Sequence, residues 1–242
     1  MHGWRRKNGR PADQLRPVRI VPGFIRSADG SCLIEMGHTR VVCTASFVQG
    51  VPKWRTGGGL GWLTAEYAML PASTGVRRER RTANPDGRGV EIQRIIGRVL
   101  RNVIRFDRLG ENTVYLDCDV LEADGGTRVA AISGSYVALA LAVAKARSAG
   151  LCKPGALSGP VAAASVGLVN GRALLDLDYS EDSIADVDMN VAMTDDGQFV
   201  EIQATGERTG FSEAQLRRLL ALARGGIRKL QALQRRAIGK RK

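Results

Sequence analysis

Between Arg128 and Lys145 the chain carries no charge, and this stretch constrains the fold more than any other. Val129–Ala144 consists largely of Ala, Val, Leu and Ser, which predicts a small-residue helix ending near Ala149. The uncharged part is too short to cross a bilayer, which takes about 20 apolar residues, so protein has to cover it. The other long uncharged stretch, Pro154–Gly171, is broken by Pro154, Pro160, four glycines and Asn170. No membrane partner is therefore expected. The opening Met-His-Gly-Trp-Arg-Arg-Lys leads into no apolar run, so no signal peptide is expected. Four cysteines (Cys32, Cys43, Cys118, Cys152) lack metal spacing, and with two histidines a zinc site would need nearly all of them; a reducing, cytoplasmic location is the expectation.

Around this helix the pattern alternates between strands and helices. Val18–Ile25, Ser31–Met36 and Thr39–Gln49 are β-branched and bounded by turns, and Trp62–Tyr67 follows a glycine cluster. Ile92, Ile95, Ile96, Val99, Leu100 and Val103 recur at helical spacing and predict a helix over about Val90–Leu109. Its opposite side carries Arg94, Arg98, Arg101, Arg105 and Arg108, either a solvated or subunit-contact face or an RNA contact. Thr113–Leu121 reads as a buried strand. Val161–Asn170 with Arg172–Leu177, and Val187–Thr194 with Phe199–Thr205, read as hairpins around Asn170-Gly171 and Asp195-Asp196-Gly197. Ser212 and Gln215 open a last helix as a capping box. Mixed elements, short connections and the lack of a low-complexity linker predict a single α+β or α/β unit.

Charge locates the chemistry. The net charge is +12, and residues 1–26, 77–108 and 211–242 hold seven, ten and ten basic residues against one, four and one acidic. Residues 109–210 reverse the sign, with six basic and fifteen acidic. A basic surface around an acidic centre suits a polyanion held near a divalent cation, so RNA or another nucleic acid is the expected partner.

Within that centre, Asp124-Gly125-Gly126-Thr127-Arg128 joins a strand to a helix N-terminus, where unpaired amides, a hydroxyl and a guanidinium can hold an anion. Asp176, Asp178, Glu181, Asp182, Asp186 and Asp188 crowd carboxylates that repel one another unless a cation such as Mg²⁺ or Mn²⁺ sits among them. A regular strand over Leu174–Tyr179 would put Asp176 and Asp178 on one face, with Glu181 and Asp186 solvating the loop. Arg77, Arg78, Arg80 and Arg81 place four positive charges within five positions, which calls for RNA or an acidic neighbouring subunit. His2 and His38 offer no good general base. Phosphorolysis needs none, because inorganic phosphate already arrives as an anionic nucleophile.

Asp117–Arg128 (DCDVLEADGGTR) closely resembles the signature of bacterial ribonuclease PH, the phosphorolytic 3′→5′ exoribonuclease also called tRNA nucleotidyltransferase. The likeness extends through Gln14–Val18, Thr64–Tyr67, Glu91–Arg94, Glu181–Ser183, Asp188–Val191 and Ala221–Ile227. It implies the RNase PH fold, an α+β arrangement of two similar βαβα-type halves like domain 2 of ribosomal protein S5, here about 1–150 and 151–242 of one domain. It implies phosphate binding by Arg88, Gly126, Thr127 and Arg128, and catalytic, metal-holding carboxylates at Asp182 and Asp188 with Mg²⁺ or Mn²⁺. Arg77 and Arg80 match basic positions linked to ring assembly and RNA entry. A homohexamer built as a trimer of dimers and trimming of tRNA 3′ ends follow from the same resemblance. The chain departs from the family at Ala72, where arginine often follows Leu-Pro. A non-catalytic RNA-binding subunit and a metal-dependent hydrolytic nuclease are the alternatives.

Overall fold

Alternating side chains between Val18 and Gln49 give three antiparallel strands, β1 (Val18–Pro22), β2 (Gly30–Met36) and β3 (Thr39–Gln49). β3 continues the sheet onto β5 (Asn112–Glu122), and β4 (Trp62–Met69) lies parallel to β5 at the edge. In β5 the alternation is clear, with Val114, Leu116, Cys118 and Val120 buried and Tyr115 exposed. This computed structural model describes residue 6 and residues 9–79 and 87–239. A second, antiparallel sheet runs in the order β7 (Arg172–Leu175), β6 (Val161–Val169), β8 (Val187–Thr194), β9 (Phe199–Gly206).

The uncharged stretch becomes α3 (Thr127–Ser148). It packs against β2 and β3 of the first sheet and β6 of the second. A helix covered on several sides needs apolar residues all round rather than one stripe. At 22 residues α3 is longer than its uncharged part, and by length and composition it could cross a membrane, but 83% of its most apolar window is buried inside the protein. Small residues permit the close approach. A Cβ on Gly134 would stand 2.8 Å from both Cys43 Sγ and Ile34 Cγ2, while the next residue back, Ser133, accepts a hydrogen bond from the Ala163 amide at 3.1 Å.

The arginine-faced helix is shorter than its periodicity predicts. α1 (Gly87–Arg101) stops, and a four-residue α2 (Phe106–Leu109) follows. Between them Ile104 bridges to Leu157, and the amides of Arg105 and Ser158 bond the carbonyls of Ala156 and Val103 at 2.8 and 2.9 Å. These pairings replace the helical ladder although the apolar spacing persists. The face is partly paired: Arg98 meets Glu201 at 3.2 Å, and Arg101 lies 5.1 Å over the Trp62 ring. The last helix, α5 (Glu213–Gly239), opens on the expected box, with Ser212 N–H donating to Gln215 Oε1 and Gln215 N–H to Ser212 Oγ.

Candidate active site

A cleft of about 600 Å³ opens where the C-terminal ends of β4 and β5 face the start of β8. The strand β5 cannot run straight into α3, because the chain reverses through Gly125 and Gly126 at φ +73° and +69°. Such left-handed backbone favours glycine. At Gly125 space forbids anything larger as well, since a Cβ would stand 2.7 Å from the Leu177 carbonyl oxygen. Gly126 is the N-cap of α3 and no side chain caps the helix. Its first-turn amides are left for an anion.

Thr127 and Arg128 stand in the first turn of that helix and line the cleft. Tyr67 Oη donates to Thr127 Oγ1 at 2.9 Å, leaving the threonine hydrogen to be given to a ligand. The Tyr67 phenol is buried, which raises its pKa and keeps it a donor. Arg128 is held by Gln203 Oε1 and by Glu91 Oε2, the latter at 3.7 Å. Gln203 Nε2 in turn donates to Glu91 Oε1 at 2.8 Å. Arg88, in the first turn of α1, lines the cleft too, as do Arg77 and Arg78 from the loop after β4. Arg80 and Arg81 lie outside the described residues.

Asp182 and Asp188 complete the cleft. Asp182 ends the short helix α4 (Tyr179–Asp182), and Asp188 is the second residue of β8. Burial raises the Asp182 carboxyl, and Glu207 adds to this against the pull of Arg88 and Arg128. Burial also pushes Asp188 up, to about 6, with repulsion from Asp182 and Glu207 adding to it. Asn190 Nδ2 donates to Asp188 Oδ2 at 3.3 Å. Ser165 Oγ, from β6, is a buried hydroxyl on the cleft wall with no protein partner. Among the described residues no three His, Cys, Asp or Glu side chains converge as a metal cage.

Three of the other candidate carboxylates, Asp176, Asp178 and Glu181, serve the frame. No strand runs over Leu174–Tyr179: β7 ends at Leu175, and Asp176 turns the chain at φ +56°. Asp176 is fully buried and accepts from Arg16 at the backbone N–H (2.7 Å), Nε (3.1 Å) and Nη2 (2.8 Å). Ion pairing in place of hydration therefore takes it away from Asp178, which is the N-cap of α4. Burial raises the Asp178 carboxyl, but hydrogen bonds from Ser180 and the Glu181 amide overcome this and lower it. Glu181 does not solvate a loop. It is buried and receives Arg6 Nε and Nη2 at 2.6 and 2.7 Å. Residue type and spacing alone assign no role to Arg16, Thr39, Tyr67, Glu91, Ser165 or Gln203. A serine inside an otherwise apolar strand, and arginines before the first strand matching acids beyond residue 170, were the available signals.

The model of the 3′ exoribonuclease family, domain 1, matches residues 14–145, and that of domain 2 matches residues 159–226. Ribonuclease PH from Corynebacterium glutamicum (strain R) is 54% identical over 236 residues, covering 97% of this chain and 96% of that protein. Ribonuclease PH from Mycolicibacterium smegmatis is 55% identical over 237 residues, covering 97% and 92%. Among solved structures, a chain of the Archaeoglobus fulgidus exosome with RNA bound to the active site aligns with a TM-score of 0.80 at 23% identity, over 94% of this chain and 92% of that one. Rice Rrp46 aligns with 0.78 at 16%, over 96% and 100%. At these identities the structural likeness establishes the fold.

Proposed function

The chain belongs to the ribonuclease PH family of 3′ exoribonucleases, and from that membership we propose that the cleft carries out phosphorolysis of RNA 3′ ends, those of tRNA precursors included. One observation carries the assignment of the site: the uncapped glycine turn with Arg88 and Arg128 shares one cleft with Asp182 and Asp188. An anionic nucleophile and the scissile phosphodiester are both negative, so bringing them together requires dense positive charge on one side. The amides of Gly126 and Thr127, the Thr127 hydroxyl and the two guanidinium groups bind and orient inorganic phosphate. A phosphate oxygen then attacks the last phosphodiester, the penultimate 3′ oxygen leaves, and the products are a nucleoside diphosphate and RNA one nucleotide shorter. The anionic nucleophile removes the need for a histidine base, and His38 sits exposed in the β2–β3 turn.

Asp182 and Asp188 fit a Mg²⁺ or Mn²⁺ ion. Two half-buried carboxylates, Asp188 raised by burial and then by repulsion from Asp182, beside a buried Ser165 hydroxyl with no protein partner, suit a cation that keeps several waters and shares its remaining positions with substrate phosphate. When bound, the ion neutralises charge on the scissile and leaving oxygens. Without it, Asp182 and Asp188 repel the RNA phosphates that Arg88 and Arg128 attract. Arg77 and Arg78, with Arg80 and Arg81, form the RNA entrance or a contact between subunits of a homo-oligomer, for which a hexameric trimer of dimers is our reading. Four unpaired thiols support a reducing, cytoplasmic setting. Incubating a short RNA with and without phosphate tests the reaction. Phosphate-dependent release of nucleoside diphosphates is expected, whereas monophosphates released without phosphate would establish a hydrolase and overturn it.

A further inference from the structure

Arg16 is 5% exposed, and no element of the cleft places it against substrate. Its charge is nonetheless expensive to bury, so its partners are informative. On one side it grips Asp176 through three donors. Burial works to lower the guanidinium, but the Asp176 pair overcomes this and raises it, so the charge is permanent. On the other side Arg16 Nη1 donates to the Asp124 carbonyl and Nη2 to the Gly125 carbonyl at 3.3 Å. Thr39, fully buried, shares the second of these peptides and holds the one before the first: its Oγ1 donates to Gly125 O at 2.6 Å and accepts from Asp124 N–H, in the Ala123–Asp124 peptide, at 2.9 Å.

The direction of these bonds matters. In a trans peptide the C=O and the next residue's N–H point opposite ways. Drawing the carbonyls of Asp124 and Gly125 back onto Arg16 and Thr39 turns the N–H groups of Gly125 and Gly126 away from them. Gly125 and Gly126 both line the cleft. Two glycines with positive φ are otherwise free to rotate these peptides, so something must set their planes. We propose that Arg16 and Thr39 are positioning residues that fix the amides of the glycine turn for the attacking phosphate, without touching it. The inference rests on the phosphate reading of the cleft. It also explains why the strap before β1 crosses to the second half of the chain: Asp176, at the end of β7, neutralises the arginine that shapes the loop after β5.

The test compares Arg16→Lys, which keeps the charge and loses the fork, with Thr39→Val and Thr39→Ser. Steady-state kinetics on a short RNA, with phosphate and RNA varied separately, are read alongside the thermal midpoint and the midpoint shift produced by inorganic phosphate. Arg16→Lys and Thr39→Val should each raise KM for phosphate about tenfold, leave KM for RNA within twofold, and shrink the phosphate-induced shift. Thr39→Ser should restore wild-type values, because it returns the hydroxyl. Unchanged phosphate KM in both Arg16→Lys and Thr39→Val, with a phosphate-dependent wild type, overturns the positioning role and leaves the cleft assignment standing. Parallel loss of RNA and phosphate affinity, or no rescue by Thr39→Ser, marks a merely structural role and also overturns it. A wild type that ignores phosphate overturns both.

Discussion

Replacing Asp188 by asparagine should destroy activity and stabilise the ligand-free protein. The folded chain holds this carboxyl at about 6, against an ordinary value of 3.8, chiefly through burial and then through repulsion from Asp182. Above both values Asp188 is charged folded and unfolded, and it is charged at a disadvantage only in the folded state. The penalty is at most about 3 kcal/mol, less what water at the cleft mouth screens. Because the folded pKa is raised, the folded protein binds the extra proton, and stability falls as pH rises through this window. The cost is absent below about 4, grows between 4 and 6, and is complete above 6. Asparagine keeps the volume and an oxygen for Asn190 but carries no charge. For a chain of this length about 1 kcal/mol moves the midpoint by 2–4 °C, so Asp188→Asn should melt up to about 6–12 °C higher at pH 8. The assay is thermal unfolding at one protein concentration with chelator and without phosphate, from pH 4.5 to 8. The gap should close toward the acid end, and Mg²⁺ should narrow it at pH 8 by stabilising the wild type alone. A gap that stays flat with pH, or a variant less stable at pH 8, refutes the reasoning.

Arg128→Ala or Arg88→Ala should raise the phosphate requirement while leaving RNA binding near wild type, since one charge-assisted contact is worth about 1.5–3 kcal/mol; phosphate titration of the initial rate decides it. Glu181→Gln leaves Arg6 buried without its counter-charge and should cost about 3–5 kcal/mol by denaturant unfolding, with a cost below 1 kcal/mol arguing against the pair. Gly30→Ala should fail to accumulate as folded protein, because the new Cβ collides with the Ala138 carbonyl of α3; a soluble variant with wild-type melting would contradict the packing. Arg77→Ala combined with Arg80→Ala should reduce the salt dependence of RNA affinity by about one unit of slope per lost phosphate contact. If the loop joins subunits instead, light scattering should show a smaller assembly with phosphate binding intact.

Strands and most helices were legible because their signals are local. The alternation in β5, the turn at Asn170-Gly171 and the box at Ser212 and Gln215 are each settled within a few residues. Helix α1 was overextended because apolar spacing persists through Val103, while the pairing of Ile104 with Leu157 that ends it lies more than fifty residues away. The glycine turn, Arg88, Asp182 and Asp188 could be found from residue type and family strings, and the fold gathers them in one cleft. Asp176 and Glu181 were misread, since an acid that binds a cation and one that pairs with a distant arginine look alike in sequence. What separates them is the partner, and Arg6 and Arg16 lie 175 and 160 residues away.

That separation has a consequence for how the protein is made. As the chain leaves the ribosome, Arg16 and the glycine turn are complete long before Asp176 exists. Closing so long a loop is slow and comes late in folding. Until then a cationic side chain that belongs in the interior has only water to neutralise it, and the N-terminal half cannot settle into its final arrangement. A truncated chain ending before Asp176 should therefore neither persist as a folded fragment nor trim RNA.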